Sequence, residues 1–109
     1  MRSWARFCTA GLLCLSASAL VAAPAAERQQ KLLHLLKHDC GSCHGMTLKG
    51  GLGPALLPQD LAGKADLMLT ETILQGRPGT AMPPWKTMLS REEVSWLITR
   101  LRKGVDDAR

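Results

Sequence analysis

Apolar positions along this chain recur with helical rather than strand spacing. Over residues 27–39, Leu32, Leu33, Leu35 and Leu36 are apolar, while Arg28, Lys31 and Lys37 fall outside them, which predicts an amphipathic helix. A second helix is expected over 64–75, burying Leu67, Met68, Ile73 and Leu74 and stopped by Gly76. The third is the best marked. Ser90 caps it, Glu93 completes an S-x-x-E box, and Val94, Leu97, Ile98 and Leu101 form its inner stripe. Between the helices, 45–61 is punctuated by Gly45, Gly50, Gly51, Gly53, Pro54 and Pro58, and 76–88 by Pro78, Pro83 and Pro84. No segment alternates as a strand does, so the fold class is all-α, with three helices and two long loops. Loops of that length in so short a chain are expected to wrap around something, because protein alone does not fill the core.

The N-terminal segment reads as an address. Arg2 and Arg6 precede an apolar run over 7–21, and Ala23-Pro24-Ala25 supplies the small residues of a cleavage site. Residues 1–25 are therefore expected to be a cleaved signal peptide, with one domain over 26–109 exported to the periplasm. The run is shorter than the ~20 apolar residues of a comfortable membrane span, so no stable insertion is expected after cleavage. Cys8 and Cys14 leave with it, and only Cys40 and Cys43 remain. Removing Arg2 and Arg6 from the 14 basic residues leaves 12 against 9 acidic, scattered without a stripe, which is no nucleic-acid signature. A domain this small usually needs a staple, a metal or a cofactor.

The sequence offers one. Cys40-Gly41-Ser42-Cys43-His44 is the attachment signature of a c-type haem. Two thiols at this spacing can each add across one porphyrin vinyl group, and the next residue, His44, is then held where its imidazole can bind the iron. A redox dithiol has no need of that histidine, and no βαβ pattern surrounds this motif. A zinc site would want further ligands, and the mature chain offers only His34 and His38.

The opposite iron position decides what such a haem does. Met82 lies in Gly79-Thr80-Ala81-Met82-Pro83-Pro84, a stretch stiffened by prolines and without a helix face to fill. Met68 is expected in the core and Met88 at a helix entry as a hydrophobic staple, with Met88 the rival ligand; Met46 lies too close to His44 to reach the other face. A His44/Met82 pair saturates the iron and favours an electron carrier over an enzyme. The alternative is a haem enzyme or gas-binding protein with an open iron position.

The order Cys40 to His44, Gly53-Pro54-Ala55-Leu56, Met82-Pro83-Pro84 and a capped last helix resembles the class I cytochrome c family over nearly all of 27–103. The resemblance implies one covalent haem c and a Pro54 carbonyl that accepts a hydrogen bond from the proximal His44. It also implies a crossing of the first and last helices, where Leu36 and Arg100 stand in place of the usual aromatics and Trp96 lies one turn earlier. The short length and segment 76–85 are further similar to the cytochrome c-55X group, small periplasmic cytochromes associated with haem-cd nitrite reductase. That similarity implies a redox partner in denitrification, either the reductase itself or a step in haem d assembly.

The remaining features have plain readings. His34 and His38 stand four apart on one helix face, a spacing that can bind a metal, although solvated helix residues are the default. Trp85 is expected at the ring edge or on a propionate, and Lys49, Arg77 and Lys86 form a basic rim.

Overall fold

The computed structural model describes residues 22–105, so the segment read as a signal peptide lies almost wholly outside the described residues. The chain runs α1 (Ala26–Leu35), a π-helical turn (Leu36–Cys40), α2 (Gly41–His44), α3 (Pro58–Leu61), α4 (Asp66–Gln75) and α5 (Arg91–Lys103). All regular structure among the described residues is helical, as the patterning predicts.

The first helix does not stop at Asp39. Backbone angles stay helical through Leu36, Cys40 and Gly41, so α1, the π turn and α2 form one continuous rod that ends at Gly45, with φ +90°. Both cysteines therefore sit on helix. The π turn adds one residue to the rod just before the motif, a feature that often marks a functional position.

The loop after Gly45 folds back against the rod's end. Gly50 N–H donates to the His44 carbonyl at 2.8 Å, Gly53 N–H to the Cys43 carbonyl at 2.8 Å, and Leu56 N–H to the Leu48 carbonyl at 2.9 Å. The first two of these bonds satisfy carbonyls that a helix terminus leaves open. Inside the segment read as pure loop, Pro58–Leu61 closes a helical turn, α3. Pro58 sits at its first position, and the Asp60 carboxylate accepts from Leu57 N–H at 3.2 Å. Proline suits that position because its missing N–H would be unpaired there anyway.

Helix α4 starts two residues later than the sequence suggests and presents a different face. Thr70 and Leu74 are buried, whereas Leu67 is 69% exposed and Met68 40% exposed. Leu67 is thus not core, and Met68 faces the cavity described below instead of packing against helices. Helix α5 matches its forecast. Ser90 Oγ accepts from Glu93 N–H at 3.1 Å, Glu93 Oε2 accepts from Ser90 N–H at 2.9 Å, and all four stripe residues are buried. Leu89, 3% exposed, and Val94, fully buried, take the two staple positions, so Met88 is left outside at 61% exposed.

Leu32, Leu36, Leu61, Leu74 and Leu89 gather with the α5 stripe in one core. The crossing of first and last helices is built from Leu32 and Leu36 against α5 rather than from paired aromatics, with Trp96 partly buried beside it. Arg100 lies with its guanidinium 5.9 Å from the Trp96 ring centroid, in reach of a cation–π contact. Ion pairs fasten the frame. Arg28 on α1 meets Glu93 on α5 at 2.5 Å, Arg91 meets Glu71 at 2.5 Å, and Arg102 holds Asp66 as well as the Leu61 carbonyl.

Candidate functional site

The long loops and helices enclose a cavity of about 690 Å³, a volume suited to a large organic ligand. Leu52, Ala55, Leu69, Ile73, Ala81 and Pro83 make much of its wall, and Leu97, Ile98 and Leu101 of α5 close the back. Cys40, Cys43, His44, Pro54 and Met82 all line this one space, as do Met68, Arg77 and Trp85. Met88 is not among the lining residues.

On one side, His44 is held in a single orientation. Its Nδ1 lies 2.7 Å from the Pro54 carbonyl oxygen. A carbonyl only accepts, so Nδ1 is the donor, and in the neutral ring Nε2 is then the nitrogen that carries the lone pair. That is the state in which an imidazole can bind a metal, with its other nitrogen fixed by an outer partner. Gly53 makes the approach possible, because a Cβ there would lie 2.9 Å from both Cε1 and Nδ1 of the ring. The sequence marks Gly53 only as loop punctuation; the need for hydrogen at that position comes from a ring ten residues from Pro54 folding back onto it.

The Cys40 thiol differs from that of a reactive pair. Burial, with a smaller contribution from the Asp39 carboxylate, pushes the Cys40 thiol up to about 11. A thiol kept protonated by apolar surroundings is a poor nucleophile for disulfide exchange and a poor zinc ligand. Both cysteines are free, and among the described residues no group of three or more His, Cys, Asp or Glu side chains could hold a metal ion.

The Met82 loop is shaped by its own backbone. Arg77 N–H donates to the Met82 carbonyl at 3.1 Å, and Thr80 N–H and Oγ1 both donate to the Arg77 carbonyl, at 3.1 and 2.7 Å. Trp85 N–H and Lys86 N–H anchor the far end on the Ile73 and Leu74 carbonyls at the end of α4. Gly76 does more than stop α4. At φ +68°, its missing Cβ would fall 2.7 Å from the Met82 carbonyl oxygen and from Pro83 and Pro84. The methionine loop therefore lies directly on Gly76, a role the sequence conceals behind an ordinary helix-stop glycine.

The fit to a haem is good on these observations. The space is apolar, one imidazole nitrogen is free and its partner fixed, a soft thioether lies on the wall, and two thiols occupy the same lining. Fold and site together are those of a class I c-type cytochrome, a haem-binding electron carrier.

Comparison with known proteins narrows this. Residues 27–99 match the family described as cytochrome c oxidase, cbb3-type, subunit III. Over 86 residues the chain is 56% identical to cytochrome c55X of Stutzerimonas stutzeri, covering 79% of this chain and 76% of that one. A solved c-type cytochrome NirC superposes with TM-score 0.72 at 55% identity, covering 73% of this chain and 94% of that chain. The dihydro-haem d1 dehydrogenase NirN, solved in complex with DHE, contains a similar unit. It matches with TM-score 0.61 at 33% identity over 67% of this chain and 16% of that chain. The chain belongs to the cytochrome c55X family of c-type cytochromes.

Proposed function

We propose that this chain is a periplasmic monohaem cytochrome that passes single electrons within denitrification. The observation that carries the reading is the convergence of Cys40, Cys43, His44 and Met82 on one apolar cavity, with His44 already oriented by Pro54. Cys40 and Cys43 would hold one haem c through thioether bonds, and Nε2 of His44 and the thioether of Met82 would bind its iron. A haem bound there supplies a one-electron couple between ferric and ferrous iron. The chain's own residues set the terms. The Pro54 carbonyl fixes the His44 tautomer and raises its basicity, and Met82, as a soft donor, favours the reduced metal. With His44 and Met82 both bound, no iron position would be left open for a substrate.

For the partner, two relatives point the same way. A unit of the dihydro-haem d1 dehydrogenase resembles this chain, and members of the c55X family share most of its length. Such a unit suits a one-electron carrier, donating to haem-cd nitrite reductase or accepting electrons during haem d assembly.

The test is a spectrum of the purified protein, oxidised and reduced, with and without carbon monoxide, followed by mixing with the reductase. A six-coordinate haem that resists carbon monoxide, and is reoxidised by the reductase with nitrite, is expected. Ready carbon monoxide binding would replace the carrier with an open-iron protein.

A further inference from the structure

Outside the cavity, one pair of side chains has a geometry that the electron-carrying role does not use. His34 closes α1, and His38 lies within the π turn that follows. Both are exposed. Although the π turn begins between them, the two rings remain on one face, with centroids 4.2 Å apart and planes inclined at 40°. Two imidazole nitrogens bound at right angles to one ion at ~2.0–2.1 Å lie roughly 3 Å apart. Rings this close, tilted rather than stacked flat, reach that arrangement by rotation about their own side-chain bonds. Histidines four apart on one helix face are a general way of presenting two nitrogens to a metal.

The surroundings leave that face accessible. Arg28 is engaged by Glu93 at 2.5 Å and Lys31 by Glu27 at 2.8 Å, so two of the helix's cations are drawn to carboxylates. Lys37 and Asp39, both exposed, flank His38 with opposite charges. The third histidine, His44, is committed to Pro54.

We propose that His34 and His38 form a surface chelate for a divalent late transition metal, with copper(II) the ion it takes best. Imidazole nitrogen suits copper, nickel and zinc, and copper(II) stands highest in affinity among first-row divalent ions at such donors. Since no group of three or more His, Cys, Asp or Glu side chains among the described residues could close around an ion, the remaining positions belong to water or to a donor from another molecule. The site is therefore open and exchangeable, one turn upstream of Cys40 on the same rod. The chain would carry a second, labile metal next to its redox centre.

The test uses the haem-loaded mature protein and copper(II) chloride alone, in a buffer with glycine as a weak competitor. Calorimetry should show one ion per chain, and electron paramagnetic resonance should show copper split by two nitrogens. His34→Asn and His38→Asn should each weaken binding by at least an order of magnitude, and the double variant should abolish it. Because both side chains are exposed, the haem spectrum of every variant should match the parent, which shows that each still folds. Copper bound by the double variant with unchanged affinity, or a parent signal with a single nitrogen, would overturn the chelate.

Discussion

The Nδ1 atom of His44 and the carbonyl oxygen of Pro54 stand 2.7 Å apart, across a loop whose closing bonds run from Gly50 and Gly53 to the end of the motif helix. The bond belongs to the polypeptide itself, so the imidazole is oriented by the loop before any ligand is considered. Gly53 is the residue that permits it, since a Cβ there would meet the ring at 2.9 Å. Gly53→Ala should therefore displace His44, lower the yield of haem-loaded protein and shift the potential of what remains. Gly63→Ala is the control: its added Cβ meets nothing within 4 Å, and only backbone strain at φ +76° is expected, about 1 kcal/mol. Redox titration of both variants decides; equal potentials would show that the ring does not need the space.

A similar argument applies at the Met82 loop. Gly76→Ala pushes a methyl group into the Met82 carbonyl and the following prolines, each 2.7 Å from its Cβ. The methionine loop should move away, and carbon monoxide should bind the reduced protein faster than in the parent. Stopped-flow mixing measures this, and an unchanged rate would mean that the loop yields without moving Met82.

Acid stability has a local origin at the α1–α5 contact. The Glu93 carboxyl is held below its usual range, first by the Arg28 guanidinium and then by the Ser90 N–H. A carboxylate depressed in the folded state adds stability above its unfolded value, ~4.3, and that stability is lost as pH falls through the lower folded value. Arg28 stays charged throughout this window. Glu93→Gln should lower stability at neutral pH and flatten the loss on acidification. Urea unfolding of the haem-loaded protein at pH 7 and pH 3 tests it; parallel losses in both proteins would place the acid sensitivity elsewhere. Ser90→Ala, which removes the cap, should cost about 1 kcal/mol at neutral pH.

A cavity of about 690 Å³ in so small a domain leaves its walls without a partner unless a ligand fills it. Leu52, 79% exposed, and Met68, 40% exposed, are wall residues that a ring would cover. Cys40→Ala with Cys43→Ala should therefore give a chain that holds no haem covalently and is largely unfolded, because ligand-binding energy is folding energy in such domains. Circular dichroism of the double variant is the check. A cooperative helical melt would contradict it.

How much of this was legible in the sequence depends on how local each cause is. The α5 cap and stripe are set by residues within four positions of each other, and Ser90, Glu93, Val94, Leu97, Ile98 and Leu101 all take their expected places. The face of α4 is decided by the cavity rather than by the helix itself. A wall lined for a ligand looks, in sequence, like one that packs on protein, which is why Met68 reads as core; Leu67, 69% exposed, is not on that wall at all. Met88 fits a staple by composition, yet Leu89 is the residue one position before the cap. That Cys40, Cys43 and His44 share one site was readable from their spacing, whereas the close approaches at Gly53 and Gly76 depend on distant backbone and left no local mark.

The central claim is that Met82, opposite His44, closes the iron. The most direct measurement is the weak red charge-transfer band of the ferric protein, which reports a thioether on iron, compared across the parent, Met82→Ala and Met88→Ala. The parent and Met88→Ala should both show the band; because Met88 is 61% exposed, its loss should change stability by no more than ~0.5 kcal/mol. Met82→Ala should lose the band, and its potential should fall. A band that survives in Met82→Ala and disappears in Met88→Ala would contradict the account and move the ligand out of the loop that Gly76 supports.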